Sequence, residues 1–248
     1  MDNQNTIQEM IFGIHPVLEA LRSDQQVDKL FVARTGQTPQ LSEILKLAKE
    51  NSIPVLQVPV EKLNRITRKN HQGVIALISP VTYYSLEQVI PLIFEEGRLP
   101  FILFLDRITD VRNFGAIART AEAIGIDAIV IPSKGSVSVG ADAVKTSAGA
   151  LMRLKVCREH NLKTSLEYLK LSGLKLVAVT EKSNVNIWDA ELRGPLVLML
   201  GSEDDGISGE YLKRTDIQVK IPMIGQLGSL NVSVAAGIAM YEVVRQRQ

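Results

Sequence analysis

Three short segments carry polar side chains whose types and spacing could do chemistry. In NFGAIARTAEAIG, Asn113 is placed to cap a helix, and Arg119 lies away from the apolar side formed by Phe114, Ile117, Ala121 and Ile124, with Gly125 as a natural stop. The Arg119 guanidinium either pairs with Glu122 at i+3 or projects over a crevice, with Gly115 leaving room for a substrate. In GSEDDGIS, Gly201 lets a ligand approach the backbone while Glu203, Asp204 and Asp205 crowd three carboxylates together, although a tight surface turn has the same composition. In IPMIGQLGSLNVSVAAGIAMYE, Ser229 stands as an N-cap after two turn-forming glycines, Gly225 and Gly228. The helix that follows repeats apolar residues at Leu230, Val234, Ile238 and Tyr241, which read as its core side, and its small residues Ser233, Ala235, Ala236 and Gly237 favour close packing of another segment, within the chain or between chains.

Each of these segments follows an apolar run that reads as a strand: FILFLD, PLVLML and DIQVKIP. With DAIVIP and KLVAV they lack polar alternation, so they belong to a sheet buried on both faces, parallel, with helices outside. In such sheets ligands bind beyond the carboxyl ends of the strands, which is where the three segments fall. FILFLD is not followed by G-x-G-x-x-G, which disfavours a dinucleotide-binding domain or the common methyltransferase fold with a Gly-rich first turn. Before this sheet, residues 11–79 form a smaller alternation of helices and strands, and residues 80–100, with prolines at both ends and an internal helix, read as a linker. The expected organisation is therefore a domain at 1–80, a linker at 81–100 and a larger domain at 101–248.

Bulk properties exclude several classes. A chain of 248 residues that is 46% hydrophobic can bury a full core. It has no apolar run of about 18 residues, and its polar N-terminus lacks a basic head before an apolar stretch, so a soluble, cytoplasmic protein is expected. A single cysteine, Cys157, excludes an internal disulfide and paired-cysteine zinc sites, and His15, His71 and His160 share no metal-ligand spacing, so no metal is expected. The net charge of +1 leaves any basic patch to be local. EKLNRITRKNHQG gathers Lys62, Arg65, Arg68 and Lys69, either as a solvated helix end or as a phosphate-contacting patch.

Taken together, LDRITDVRNFGAIARTAEAIG, LVLMLGSEDDGIS and IPMIGQLGSLNVSVAAGIAMYEVVRQR resemble the three signature motifs of the SpoU/TrmH branch of the SPOUT RNA methyltransferases, and KTSAGA at 145–150 matches a further family segment. The N-terminal unit, with FGIHPVLEAL and HQGVIAL, is similar to the L30e-like RNA-binding domain of the subgroup that methylates a guanosine of 23S ribosomal RNA. The resemblance implies an α/β fold with a SPOUT-type parallel sheet and a trefoil knot, S-adenosylmethionine as cofactor, RNA as substrate, and a homodimer joined through the small-residue helix at 229–247. It implies that Gly201, Ile221 and Leu230 touch the cofactor largely through backbone groups, with Thr180 and Met223 nearby. Asn113, Arg119, Glu203, Ser229 and Asn231 match the polar positions around the family's reaction centre, and Lys62, Arg65, Arg68 and Lys69 would contact RNA.

Arginine, with a pKa above about 12, keeps its proton. In the implied reaction Arg119 therefore stabilises the forming 2′-alkoxide, an effect worth about 3–4 kcal/mol. One departure is that Asp110 is followed by Val111 where the family usually has proline, which leaves that turn without a fixed φ. Two alternatives stay open: methylation of another ribosomal or transfer RNA ribose, and a non-catalytic RNA-binding module of ribosome assembly, which would leave the three polar segments unexplained.

Overall fold

The computed structural model describes residues 9–23, 25–34 and 38–248. It divides into two compact units, Met1–Thr82 with Ser138–Asp142, and Tyr83–Val137 with Ala143–Gln248. Among the described residues no helix is long and apolar enough to cross a membrane.

In the first unit the elements are β1 (Met10–Phe12), α1 (Ile14–Arg22), β2 (Val27–Ala33), α2 (Pro39–Glu50), β3 (Val55–Val58), α3 (Val60–Ile66) and β4 (Val74–Ile78). The sheet runs β1-β4-β2-β3, with β4 antiparallel to both neighbours and β2 parallel to β3. Side chains alternate across a strand. Leu30, Val32, Val74 and Ala76 accordingly share a core with Val17 and Leu21 of α1 and Ile44 and Ala48 of α2, whereas Ala33 and Ile75 meet Leu63 of α3 on the other face.

The second unit follows with β5 (Tyr83–Tyr84), α4 (Leu86–Glu95), β6 (Phe101–Asp106), α5 (Val111–Ala123), β7 (Ala128–Pro132), α6 (Ala141–Thr146, whose first two residues are assigned to the first unit), β8 (Lys155–Glu159), α7 (Leu162–Leu171), β9 (Lys175–Val179), β10 (Leu196–Gly201), α8 (Gly209–Leu212), β11 (Ile217–Val219) and α9 (Val232–Arg247). Its sheet has the order β11-β9-β10-β6-β7-β8-β5, and every paired neighbour is parallel. β6 and β10 are buried along their whole length, as their unbroken apolar sequences require. After β6 the chain builds outward through β7 and β8, then returns to add β9 and β10 on the other side, so the strand order switches between β6 and β10. Open parallel sheets bind ligands at such a point.

Two expectations need correction. Residues 81–100 are no linker: Tyr83 and Tyr84 pair with β8, and α4, closed by a capping box of Ser85 and Gln88, buries Leu86, Val89, Ile90 and Ile93 in the main core. Pro91 lies inside this helix instead of ending it. In α9 the buried side is Val232, Ala236, Ala239, Met240 and Val243, while Val234, Ile238 and Tyr241 are exposed. Both sides of the helix are apolar, so the repeat from Leu230 to Tyr241 does not mark the core. The small side chains instead let α9 pack closely on α5 of its own chain, where a Cβ on Gly237 would meet Thr120 at 3.8 Å.

Candidate active site

Parallel register sets Asp106 at the end of β6 opposite Gly201 at the end of β10, so the two loops that follow start side by side. The first loop enters α5 through Asp110, whose carboxylate accepts from the backbone N–H groups of Arg112 and Asn113, both at 2.8 Å. Asn113, expected as the cap, therefore sits three residues further on with its side chain free for other partners. Gly115 leaves room for the chain and not for a substrate: a Cβ there would lie 2.5 Å from Thr146 Cβ and 2.9 Å from its carbonyl carbon. Gly201 behaves likewise, since a Cβ would come within 2.0 Å of Gly206 C and 2.1 Å of Ile207 N. The turn 202–206 thus folds back directly over the strand end, closed by Gly206 N–H donating to Ser202 O at 2.9 Å.

Behind this turn lies a cavity of about 340 Å³, and Thr180, Gly201, Ile221, Met223 and Leu230 all line it. These are the five residues expected at a cofactor, drawn from the ends of β9, β10 and β11 and from the loop before α9. Ser229 and Glu203 also line it. Ser229 is not the cap of α9: the helix starts at Val232, and Asn231 caps it through Oδ1, which accepts from Ser233 N at 2.9 Å. Four carboxylates on the wall, Glu181, Glu203, Asp204 and Asp205, stand against one cation, Lys182.

The three polar segments meet in one hydrogen-bonded node. Asn231 Nδ2 donates to Asn113 Oδ1 at 3.0 Å and to Glu203 Oε1 at 3.1 Å, and Asn113 Nδ2 donates to the same Glu203 oxygen. Asn231 Oδ1 is engaged by Ser233, so both amides are oriented and both donate to one carboxylate oxygen. Asp106, 1% exposed, anchors the next stretch by accepting from Ser208 N at 2.7 Å. Asp106 is not named from sequence, and Asp110 is noted there only for the residue that follows it, not as the cap. The spacing of Asp110 before the apolar side of α5 is the signal that would have found the cap.

Arg119 lies elsewhere. It is exposed on α5, six residues past Asn113, and does not line the cavity. Its sequence-level partner Glu122 is taken by Arg153 at 2.6 Å, and among the described residues Arg119 makes no ion pair. No group of metal-ligating side chains occurs among the described residues. Cys157 is no nucleophile, because burial pushes its thiol up to about 12.

In the first unit α3 carries Lys62 and Arg65, and the segment after it carries Arg68 and Lys69. All four are exposed; Lys62 Nζ stands 5.8 Å from the Phe31 ring centroid and Lys69 Nζ 5.5 Å from that of Phe12. His71 fixes the turn: Nδ1 accepts from Gly73 N at 3.0 Å, which leaves Nε2 to donate to Asn64 Oδ1 at 2.9 Å.

Comparison with known proteins places this geometry. Residues 100–241 match the model of the SpoU rRNA Methylase family, and residues 10–84 match the model described as RNA 2'-O ribose methyltransferase substrate binding. The chain is 36% identical over 238 residues to a Staphylococcus saprophyticus protein named "Putative TrmH family tRNA/rRNA methyltransferase", covering 96% of each. It is 35% identical over 239 residues to the Bacillus subtilis protein of the same name, YacO, again covering 96% of each. In fold it is similar to an AdoMet-bound rRNA methyltransferase from Sinorhizobium meliloti, with a TM-score of 0.61 at 24% identity, over 96% of this chain and 87% of that one. Because the family model spans residues 100–241 and both relatives align over 96% of each chain at 35% identity or more, this chain belongs to the SpoU rRNA methylase family.

Proposed function

We propose that this chain transfers a methyl group from S-adenosylmethionine to the 2′-hydroxyl of a ribose in ribosomal RNA, and that its target is a guanosine of the 23S RNA. The observation that carries the reading is that Glu203 belongs both to the cavity wall and to the node with Asn113 and Asn231, so a cofactor-sized cavity and an oriented polar cluster share one side chain.

The cavity fits the cofactor. Its volume of about 340 Å³ falls within the range of roughly 300–1,000 Å³ typical of small-molecule sites. Leu200, Ile221, Leu230 and Val232 offer apolar contact for an adenine, and the excess of carboxylates favours a cationic sulfonium while repelling an anionic dinucleotide. The Sinorhizobium enzyme of the same fold, solved with AdoMet bound, supports the same choice. When bound, S-adenosylmethionine supplies an electrophilic methyl group. The chain supplies orientation: the Asn113 and Asn231 amides fix Glu203, and Ser229 offers a hydroxyl at the cavity edge. Arg119, exposed and without an ion pair among the described residues, is available to stabilise the substrate oxyanion. Alignment of the reacting groups can contribute about 7–11 kcal/mol to lowering the barrier.

The basic cluster of the first unit, in the region matching the substrate-binding model, supports RNA as the substrate. The exposed apolar side chains Val234, Ile238 and Tyr241, with Ile224 and Leu227 in the loop before α9, support a homodimer through this face. The trefoil knot is part of the proposal, supported by membership of the SpoU family. The test is incorporation of labelled methyl from S-adenosylmethionine into transcripts of 23S RNA, 16S RNA and transfer RNA. Label in one 23S guanosine is expected; label confined to transfer RNA would overturn the target, and none in any RNA would overturn the reaction.

A further inference from the structure

The acidic turn that walls the cavity is held by a residue outside the polar node. Arg107 follows Asp106 at the β6 end and adopts φ 58, in the left-handed region that residues with a side chain rarely occupy. From there its guanidinium spans three acceptors. Nε donates to Asp106 Oδ1 at 3.2 Å, Nη1 to Asp205 Oδ2 at 3.0 Å, and Nη2 to the main-chain oxygen of Gly206 at 3.1 Å. The hydrogen bond with Asp106 holds the guanidinium above its usual pKa, so the fork stays charged. Without it, the turn has its own closure at Ser202 and three adjacent carboxylates, Glu203, Asp204 and Asp205, whose like charges oppose a tight fold.

We propose that Arg107 is a positioning residue for cofactor binding, its planar fork fixing the turn 202–206 as the wall of the cavity. The inference rests on reading that cavity as the S-adenosylmethionine site. A charge effect and a positioning effect have opposite signatures here. Removing the guanidinium leaves Asp205 unneutralised, which by charge alone would tighten binding of the cationic sulfonium and leave the neutral product S-adenosylhomocysteine unaffected. Loss of the wall weakens both ligands alike.

Isothermal titration of the full chain with each ligand separates these cases, using wild type, Arg107→Ala, Arg107→Lys and Arg107→Gly. Arg107→Ala should weaken both ligands by roughly tenfold, the order expected when one or two charge-assisted hydrogen bonds are lost, with the loss in turnover falling on KM for S-adenosylmethionine more than on kcat. Arg107→Lys, keeping the charge without the fork, should recover part of the affinity. Arg107→Gly relieves the backbone strain, so thermal stability should rise relative to Arg107→Ala while affinity stays low. The proposal is overturned if both affinities are unchanged, if only S-adenosylmethionine binding tightens, or if affinity in Arg107→Gly recovers together with stability. Heat of binding with wild type but no loss in the variants would sink the positioning role alone; no heat with wild type would sink the cavity reading and this proposal with it.

Discussion

Gly201→Ala is the substitution whose consequence follows most directly from the coordinates. The added Cβ would stand 2.0 Å from Gly206 C and 2.1 Å from Ile207 N, and ordinary contact begins at 3.4 Å, so the turn must retreat by about 1.4 Å. The neighbours are main-chain atoms and cannot rotate away as a side-chain tip would. Overpacking of this kind costs about 1–3 kcal/mol and occasionally more, and the rigid backbone puts this site near 3 kcal/mol. For a domain of this size that corresponds to a melting temperature lower by about 6–12 °C. The same retreat moves Glu203 away from Asn113 and Asn231 and displaces the cavity wall. Calorimetry should therefore record the drop in melting temperature, and titration with S-adenosylmethionine should record loss of binding in the fraction that remains folded. A Gly201→Ala protein with wild-type melting and wild-type affinity would contradict the tight fold-back of the turn.

Other perturbations address the remaining parts of the site. Arg119→Ala should reduce methyl transfer by about 10²–10³-fold without a measurable change in S-adenosylmethionine affinity, because the side chain is outside the cavity; an equal loss of affinity would show that it belongs to the cofactor site. Replacing Lys62, Arg65, Arg68 and Lys69 together should flatten the slope of log affinity for single-stranded RNA against log salt by about 3, at roughly 0.7 per phosphate contact, and an unchanged slope would return the cluster to the role of a solvated surface. Cys157, with its thiol pushed up to about 12 by burial, should resist alkylation at pH 8 in the native protein and react rapidly in denaturant; rapid reaction of the native chain would contradict its burial.

The larger sheet was legible because its strands are buried on both faces and so are written as unbroken apolar runs, FILFLD and PLVLML being the clearest. That Thr180, Gly201, Ile221, Met223 and Leu230 line one cavity was legible only through resemblance to a family, since they share no local pattern. The node joins Asn113, Glu203 and Asn231 across 90 and 118 positions of sequence, a pairing that no window of the chain can encode. Three misreadings have local causes. Asp110 and Asn113 are both good caps, and only the backbone conformation at 110 decides between them. Prolines around residues 80–100 suggested a linker, yet the capping box at Ser85 and the apolar side of α4 bring that segment into the core. In α9 both sides are apolar, so periodicity could not tell the side against α5 from the side bearing Val234, Ile238 and Tyr241.

The measurement that bears most directly on the proposed function is a map of 2′-O-methylated riboses in ribosomal and transfer RNA from cells with and without this chain, repeated with the chain restored as wild type or as Arg119→Ala. One guanosine of the 23S RNA should lose its methyl group in the deficient cells, regain it with wild type and stay unmodified with the variant. Identical maps in all four RNA samples would contradict a role in RNA ribose methylation.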